Sequence, residues 1–218
     1  DLTDRGSEMM SNFLFEIASI KPEYTMGCRQ QSCIDHIKSV VGDKKVLMLL
    51  SGGIDSTVSS LLLRKALSDD QIHAVFINNG FMRKNEPAEV EQNLNKLGLK
   101  VKMVDAFNKF YTATTSLPDK ENRVDRRRVT KMLCEVTDPE EKRHIIGDTF
   151  VEVAQDVMKE LGLNPDNTFL GQGTLRPDLI ESASTLASSA ADVIKTHHND
   201  SELVRQWRAV GRVVEPLT

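Results

Sequence analysis

The sequence predicts an α/β protein, a doubly wound parallel sheet of about five strands with helices on both faces. Three observations carry that prediction. Short apolar runs alternate with helix-length amphipathic segments along most of the chain. The run KVLMLL (45–50) is wholly apolar, as suits a strand buried on both faces of a parallel sheet. Turns rich in glycine and polar residues follow several strands, at the sheet edge where ligands collect in such folds.

Residues 1–20, DLTDRGSEMMSNFLFEIASI, put Met10, Phe13, Leu14 and Ile17 on one helical face, which predicts a short amphipathic helix. KPEYTMG (21–27) has no periodicity and reads as a linker, so a domain boundary is expected between residues 1–27 and 28–218. CIDHIKSVV (33–41) is helical, KVLMLL is the first strand, and STVSSLLLRKAL (56–67) is helical again. IHAVFIN (72–78) is the second strand. EPAEVEQNLNKLGL (86–99) aligns Val90, Leu94 and Leu97 on one stripe, with Gly98 as the stop. KVKMVDA (100–106) is the third strand and FNKFYTAT (107–114) opens another helix. A long helix is expected from Pro139 to about Leu161, carrying Ile145, Ile146, Phe150, Val157 and Leu161. TFLGQG (168–173) is the fourth strand, PDLIESAS a short helix, DVIK (192–195) the fifth strand and DSELVRQWRAVG the last helix. The sequence stops at EPLT, just after a strand-like VVEP, and starts without Met, so it reads as a fragment.

A chain of 218 residues can bury one good core. A net charge of −4 argues against a general affinity for nucleic-acid backbone. The densest basic run, RVDRRRVTK (123–131), has no aromatic residues for base stacking and reads as a surface loop. No apolar run approaches the roughly 18 residues of a membrane span. Three cysteines, Cys28, Cys33 and Cys134, form neither a disulfide framework nor a zinc spacing, so reduced thiols in an intracellular, cytoplasmic setting are expected.

The first strand runs into Ser51-Gly52-Gly53, and a helix opens at about Asp55. Adjacent glycines turn the chain sharply and let anionic oxygens approach backbone N–H groups. The helix start adds unpaired N–H groups and the positive end of its dipole. Ser51, Ser56 and Thr57 are expected to add hydroxyl donors to this anion cradle. A Walker loop needs Gly-x-x-x-x-Gly-Lys-Ser/Thr, and here the lysine is missing and a carboxylate stands in the turn. Asp55 therefore either caps the helix or shares a cation with bound phosphates.

SGGIDS in this context resembles the signature loop of the N-type ATP pyrophosphatases, whose fold is the adenine nucleotide alpha hydrolase-like variant of the doubly wound sheet. NNGFMRKNE (78–86), PEEKRHIIGDTF (139–150), GQGTLRPDLIES (171–182) and IKTHHND (194–200) narrow the resemblance to the GMP synthetase family, from about residue 30 onward. Residues 1–20 resemble the tail of that family's glutamine amidotransferase domain. The longer segment 116–136 resembles its eukaryotic branch.

The resemblance implies a ligase that consumes ATP. Ser51, Gly52, Gly53, Ile54, Asp55, Ser56 and Thr57, with Val75 and Gly173, would bind ATP, the loop holding the departing pyrophosphate. Lys195 and Asp55 would be catalytic, Lys195 at the α-phosphate, and Arg143 would contact the phosphate of xanthosine 5′-monophosphate (XMP). Mg²⁺ would be held by Asp55, Asp178 and Glu181. The last two are three apart on a predicted helix, and Asp178 can also be read as a cap after Pro177. His197 and His198 are adjacent, so in an extended segment they face opposite ways and do not read as a metal site. Ammonia would come from a glutaminase domain, and a C-terminal dimerisation domain would complete the enzyme. The second strand ends in Asn78 where the family pattern leads one to expect an acid.

Overall fold

The computed structural model describes residues 3–118, 127–175, 177–178 and 207–217. Five parallel strands form the main sheet: β1 (Lys45–Leu50), β2 (Ile72–Asn78), β3 (Val101–Asp105), β6 (Thr168–Gly171) and β7 (Val213–Val214). Their spatial order is β3-β2-β1-β6-β7. A separate antiparallel hairpin pairs β4 (Ser116–Pro118) with β5 (Arg127–Val129) inside the longer segment 116–136.

Strand alternation divides the core between two helical layers. Val46, Met48 and Leu50 of β1, with Ala74 and Phe76 of β2, pack with α2 (Met26–Val41), α3 (Ile54–Ala66) and α4 (Glu86–Lys96). Leu47, Leu49, Val75 and Ile77 face the other way, against α5 (Phe107–Tyr111) and α6 (Pro139–Glu160). Ile37, Leu63, Phe76, Phe110 and Ile145 are fully buried between the layers. The predicted fold class and the first four strands are as expected.

Several boundaries differ. Helix α2 begins at Met26, six or so residues before the sequence pattern announces it, because Thr25 caps it by accepting from the Cys28 N–H at 3.2 Å. The predicted linker therefore ends in helix. Leu97 does not join the buried stripe of Val90 and Leu94: it is the C-cap of α4 and 44% exposed, while Gly98 at φ +73° ends the helix. The strand-like VV near the end is the fifth strand of the described sheet, whereas DVIK falls outside the described residues. The N-terminal segment is helical over α1 (Gly6–Ser11) and continues as a π-helical turn to Ile17. Met10, Phe13 and Ile17 are exposed on it, so their expected apolar face covers nothing among the described residues.

No helix among the described residues is long and apolar enough to cross a membrane. The three cysteines are free thiols.

His73, near the start of β2, carries a pH dependence. Its Nε2 is buried without a hydrogen-bond partner. Burial and the nearby Lys45 hold its pKa below 6.5, opposed by Asp70. The unfolded chain therefore takes up this proton more readily than the folded one. The stabilisation is fully present above about pH 6.5 and is lost as pH falls through the folded value. Denaturant unfolding at about pH 7.5 and about pH 5.5 should show a smaller acid loss in His73→Gln than in the parent. Equal losses would remove His73 as the cause.

Candidate functional site

The chain runs β1-α3-β2-α4-β3 toward one sheet edge and then returns by α5, the hairpin and α6 to β6 on the opposite side of β1. The strand order thus reverses between β1 and β6, and the crevice at their carboxyl ends is where doubly wound sheets bind ligands. The loop after β1 and the turn after β6 meet there. A Cβ placed on Gly173 would lie 2.9 Å from both Asp55 C and Ser56 N, so this glycine abuts the loop's backbone directly. Its likeness-implied place beside a nucleotide is thereby joined by a structural duty.

Gly52 has φ +81°, and a Cβ on it would lie 2.7 Å from Val90 of α4. Gly53 is the N-cap of α3, with no side-chain cap, so Asp55 is not the capping residue. Ile54, Asp55 and Ser56 open the helix, and the N–H groups of a first turn have no intrahelical acceptor. Ile54 is 80% exposed and Asp55 is exposed too.

The hydroxyls behave differently from the expectation of free donors. Ser56 Oγ donates to Gly53 O at 3.0 Å, and Thr57 Oγ1 donates to the same carbonyl at 2.9 Å. Ser51 Oγ lies 3.1 Å from Ser56 Oγ and accepts from the Gly53 N–H at 3.3 Å. In a first helical turn such hydroxyls reach back to the carbonyl three or four residues earlier. They brace the loop, which leaves the backbone N–H groups of the first turn and the helix dipole as what it presents to the crevice. Thr174, fully buried beyond Gly173, keeps a hydroxyl with no partner among the described residues, as a site completed by a ligand or water would.

Val75 does not reach this site. Its side chain is fully buried, and its backbone lies within ladders to Leu49 on one side and Lys102 on the other. Three residues short of the strand's end at Asn78, it presents neither an exposed side chain nor free backbone to a nucleotide, which corrects that expectation.

Helix α6 returns toward the amino edge, where Glu160 pairs with Lys102 at the start of β3, so its first turns lie at the carboxyl edge with the loop. Asp138 caps it, accepting from the Glu141 N–H at 2.8 Å. Arg143 donates to Glu140 at 2.6 Å with its side chain 58% exposed. An exposed pair of this kind is weak and exchangeable for a phosphate partner. The β4–β5 hairpin docks on the same helix through the Arg128–Glu141 ion pair.

Asp178 accepts from the Leu175 N–H at 2.9 Å and so closes the turn after β6; that bond runs back to a preceding residue, whereas a helix cap accepts from N–H groups that follow it. Glu181 and Lys195 lie outside the described residues, as do His197 and His198. Among the described residues no group of three or more His, Cys, Asp and Glu side chains is gathered for a metal. Asn78 donates to Asp105 Oδ1 at 3.4 Å and accepts from the Gly80 N–H at 3.2 Å. A carboxylate at this position would face Asp105 as a like charge, so the amide ties the ends of β2 and β3 together. That clamp is a finding of the register, which pairs Asn78 with Asp105. A cavity of about 460 Å³ lined by Met158, Leu163, Trp207 and Arg212 lies at the opposite, amino edge of β6.

The profile of the NAD synthase family matches residues 29–139. The chain belongs to the NAD synthase family. Over the whole chain it is 52% identical to the glutamine-hydrolysing GMP synthase of Dictyostelium discoideum and 49% identical to the probable GMP synthase of Caenorhabditis elegans. The GMP synthase of the bacterium Thermosipho melanesiensis is 38% identical across 99% of the chain. The chain spans 29%, 28% and 38% of the lengths of these three relatives. Among solved structures, the NH3-dependent NAD synthetase of Campylobacter jejuni superposes with TM-score 0.51 at 15% identity, covering 87% of this chain and 75% of that one. The U34-tRNA thiolase NcsA of Methanococcus maripaludis gives TM-score 0.51 at 17% identity, covering 89% of this chain and 61% of its own. At such identities the likeness is one of fold, and NAD synthase family members share the adenine nucleotide alpha hydrolase-like architecture with them.

Proposed function

We propose that this member of the NAD synthase family is the ATP pyrophosphatase unit of a GMP synthase. The observation that carries the reading is the lysine-free SGGIDS loop at the switch point, its N–H groups opening α3. Whole-chain identity to GMP synthases of 38% to 52% supports the choice of substrate.

In this reading the C2 oxygen of XMP attacks the α-phosphorus of ATP, and the bond to the bridging oxygen breaks to release pyrophosphate. Ammonia then displaces AMP from adenylyl-XMP to give GMP. The Ser51–Thr57 backbone would grip the departing diphosphate, and Lys195 would neutralise charge at the α-phosphate. Arg143 would leave Glu140 for the XMP phosphate. The exposed carboxylate of Asp55 suits Mg²⁺, which takes one or two carboxylates together with substrate phosphates and would supply charge neutralisation there. Asp178 and Glu181 would be its further ligands. Residues 1–20 are then the tail of a glutaminase domain that delivers ammonia, joined through the linker 21–27, and a C-terminal dimerisation domain completes the cytoplasmic enzyme.

The test offers the full-length enzyme MgATP and ammonia with either XMP or deamido-NAD. AMP and pyrophosphate should appear with XMP. Turnover with deamido-NAD alone would move the chain to NAD synthesis, and release of ADP would overturn the loop assignment. Without the rest of the XMP site, the 218-residue chain itself should bind MgATP with little turnover.

A further inference from the structure

The loop Ser51–Thr57 carries a carboxylate and no cationic side chain, although a diphosphate held there brings several negative charges. Backbone N–H groups offset only part of that charge. A second segment stands beside the loop. Leu50 pairs with Phe76 across the β1–β2 ladder, so the turn leaving β2 emerges level with the turn leaving β1. Val90 of α4 packs against Gly52, which brings the start of α4 close as well.

The connection between β2 and α4, residues 79–85, is a built turn. Asn78 Oδ1 accepts from the Gly80 N–H at 3.2 Å and Asn79 Oδ1 from the Phe81 N–H at 3.0 Å. Gly80 has φ +83° and sits against the Phe107 ring, and Asn85 has φ 64°. Glu86 closes the turn by accepting from the Arg83 backbone N–H at 2.7 Å, while the Glu86 N–H donates to Arg83 O at 3.1 Å. The carboxylate is thus committed to the main chain of Arg83. Arg83 and Lys84 are both exposed, and neither cationic head has an acidic partner among the described residues. Arg128 and Arg143, by contrast, are paired with Glu141 and Glu140. Two unneutralised cations on a braced turn, next to an anion cradle short of positive charge, are a complementary pair of features.

Resting on the proposed function, we infer that Arg83 and Lys84 form the cationic wall of the polyphosphate site and contact the terminal phosphates of ATP and the released pyrophosphate. Arg83 offers a planar fork to two phosphate oxygens, and Lys84 a point charge. The pair replaces the missing loop lysine from a neighbouring turn.

Calorimetry on the chain with inorganic pyrophosphate, MgATP and AMP tests this. In Arg83→Gln/Lys84→Gln, affinity for pyrophosphate and MgATP should fall about tenfold or more, the loss typical of charge-assisted contacts, with AMP affinity unchanged. Arg83→Lys should keep most of the pyrophosphate affinity. Unchanged pyrophosphate and MgATP binding in the double variant would overturn the inference and leave the proposed function standing. Equal losses for all three ligands would also overturn it, because a wall at the terminal phosphates spares AMP. A parent chain that binds neither pyrophosphate nor MgATP would sink the functional reading and the inference together.

Discussion

Asp55→Asn in the full-length enzyme is expected to slow pyrophosphate release by roughly 10²-fold, a typical loss for a group that acts in the transition state. The structure makes this a clean experiment. Gly53, not Asp55, is the N-cap of α3, and no side chain caps the helix, so the substitution removes no capping bond. What the helix loses is a negative charge in its first turn, worth about 0.3–1 kcal/mol at an exposed position. A 10²-fold rate loss corresponds to about 2.7 kcal/mol, well beyond that. Single-turnover pyrophosphate release with saturating XMP should therefore fall while the melting temperature moves little. Lys195→Ala should lose a comparable factor by the same assay. A near-normal rate in either variant would remove that residue from the chemistry.

Local pattern made most of the layered fold legible. KVLMLL and IHAVFIN read as strands because a strand buried on both faces needs apolar residues at consecutive positions, and both lie at the centre of the sheet. SGGIDS was legible as a sharp strand-to-helix connection, and Gly53 does stand at the start of α3 directly after β1. What pattern could not supply was register. Nothing in the sequence says that Asn78 stands opposite Asp105, so an amide that clamps two strand ends read only as a departure from a family pattern. Nor does it say that Val75 lies inside two ladders rather than at their rim. The hydroxyls of Ser56 and Thr57 were read by type as donors for a ligand, and helical geometry turned both back to Gly53. The start of α2 was missed because Thr25-Met26-Gly27 carries a good cap and then a poor helix former, and the cap decided.

Gly173→Ala and Gly171→Ala, two residues apart at the end of β6, are expected to differ sharply. At Gly171 the added methyl would meet Met48 Sδ at 2.8 Å and Val46 Cγ1 at 3.2 Å. A thioether on a flexible side chain can swing aside, so the cost is mild overpacking, about 1–2 kcal/mol of stability. MgATP binding should survive. At Gly173 the methyl would lie 2.9 Å from Asp55 C and Ser56 N and 3.1 Å from Asp55 O. These are backbone atoms of the first turn of α3 and have no rotamer by which to retreat. Either the turn after β6 moves outward or the start of α3 moves, and both open the crevice at the switch point. The loss should therefore appear in ligand binding more than in folding: MgATP affinity falling more than tenfold, about 1.4 kcal/mol, at a melting temperature close to that of Gly171→Ala. Calorimetry and thermal unfolding on the two variants separate the outcomes. Equal MgATP affinities in the two would show that close contact between the β6 turn and the SGGIDS loop is not what shapes the nucleotide site.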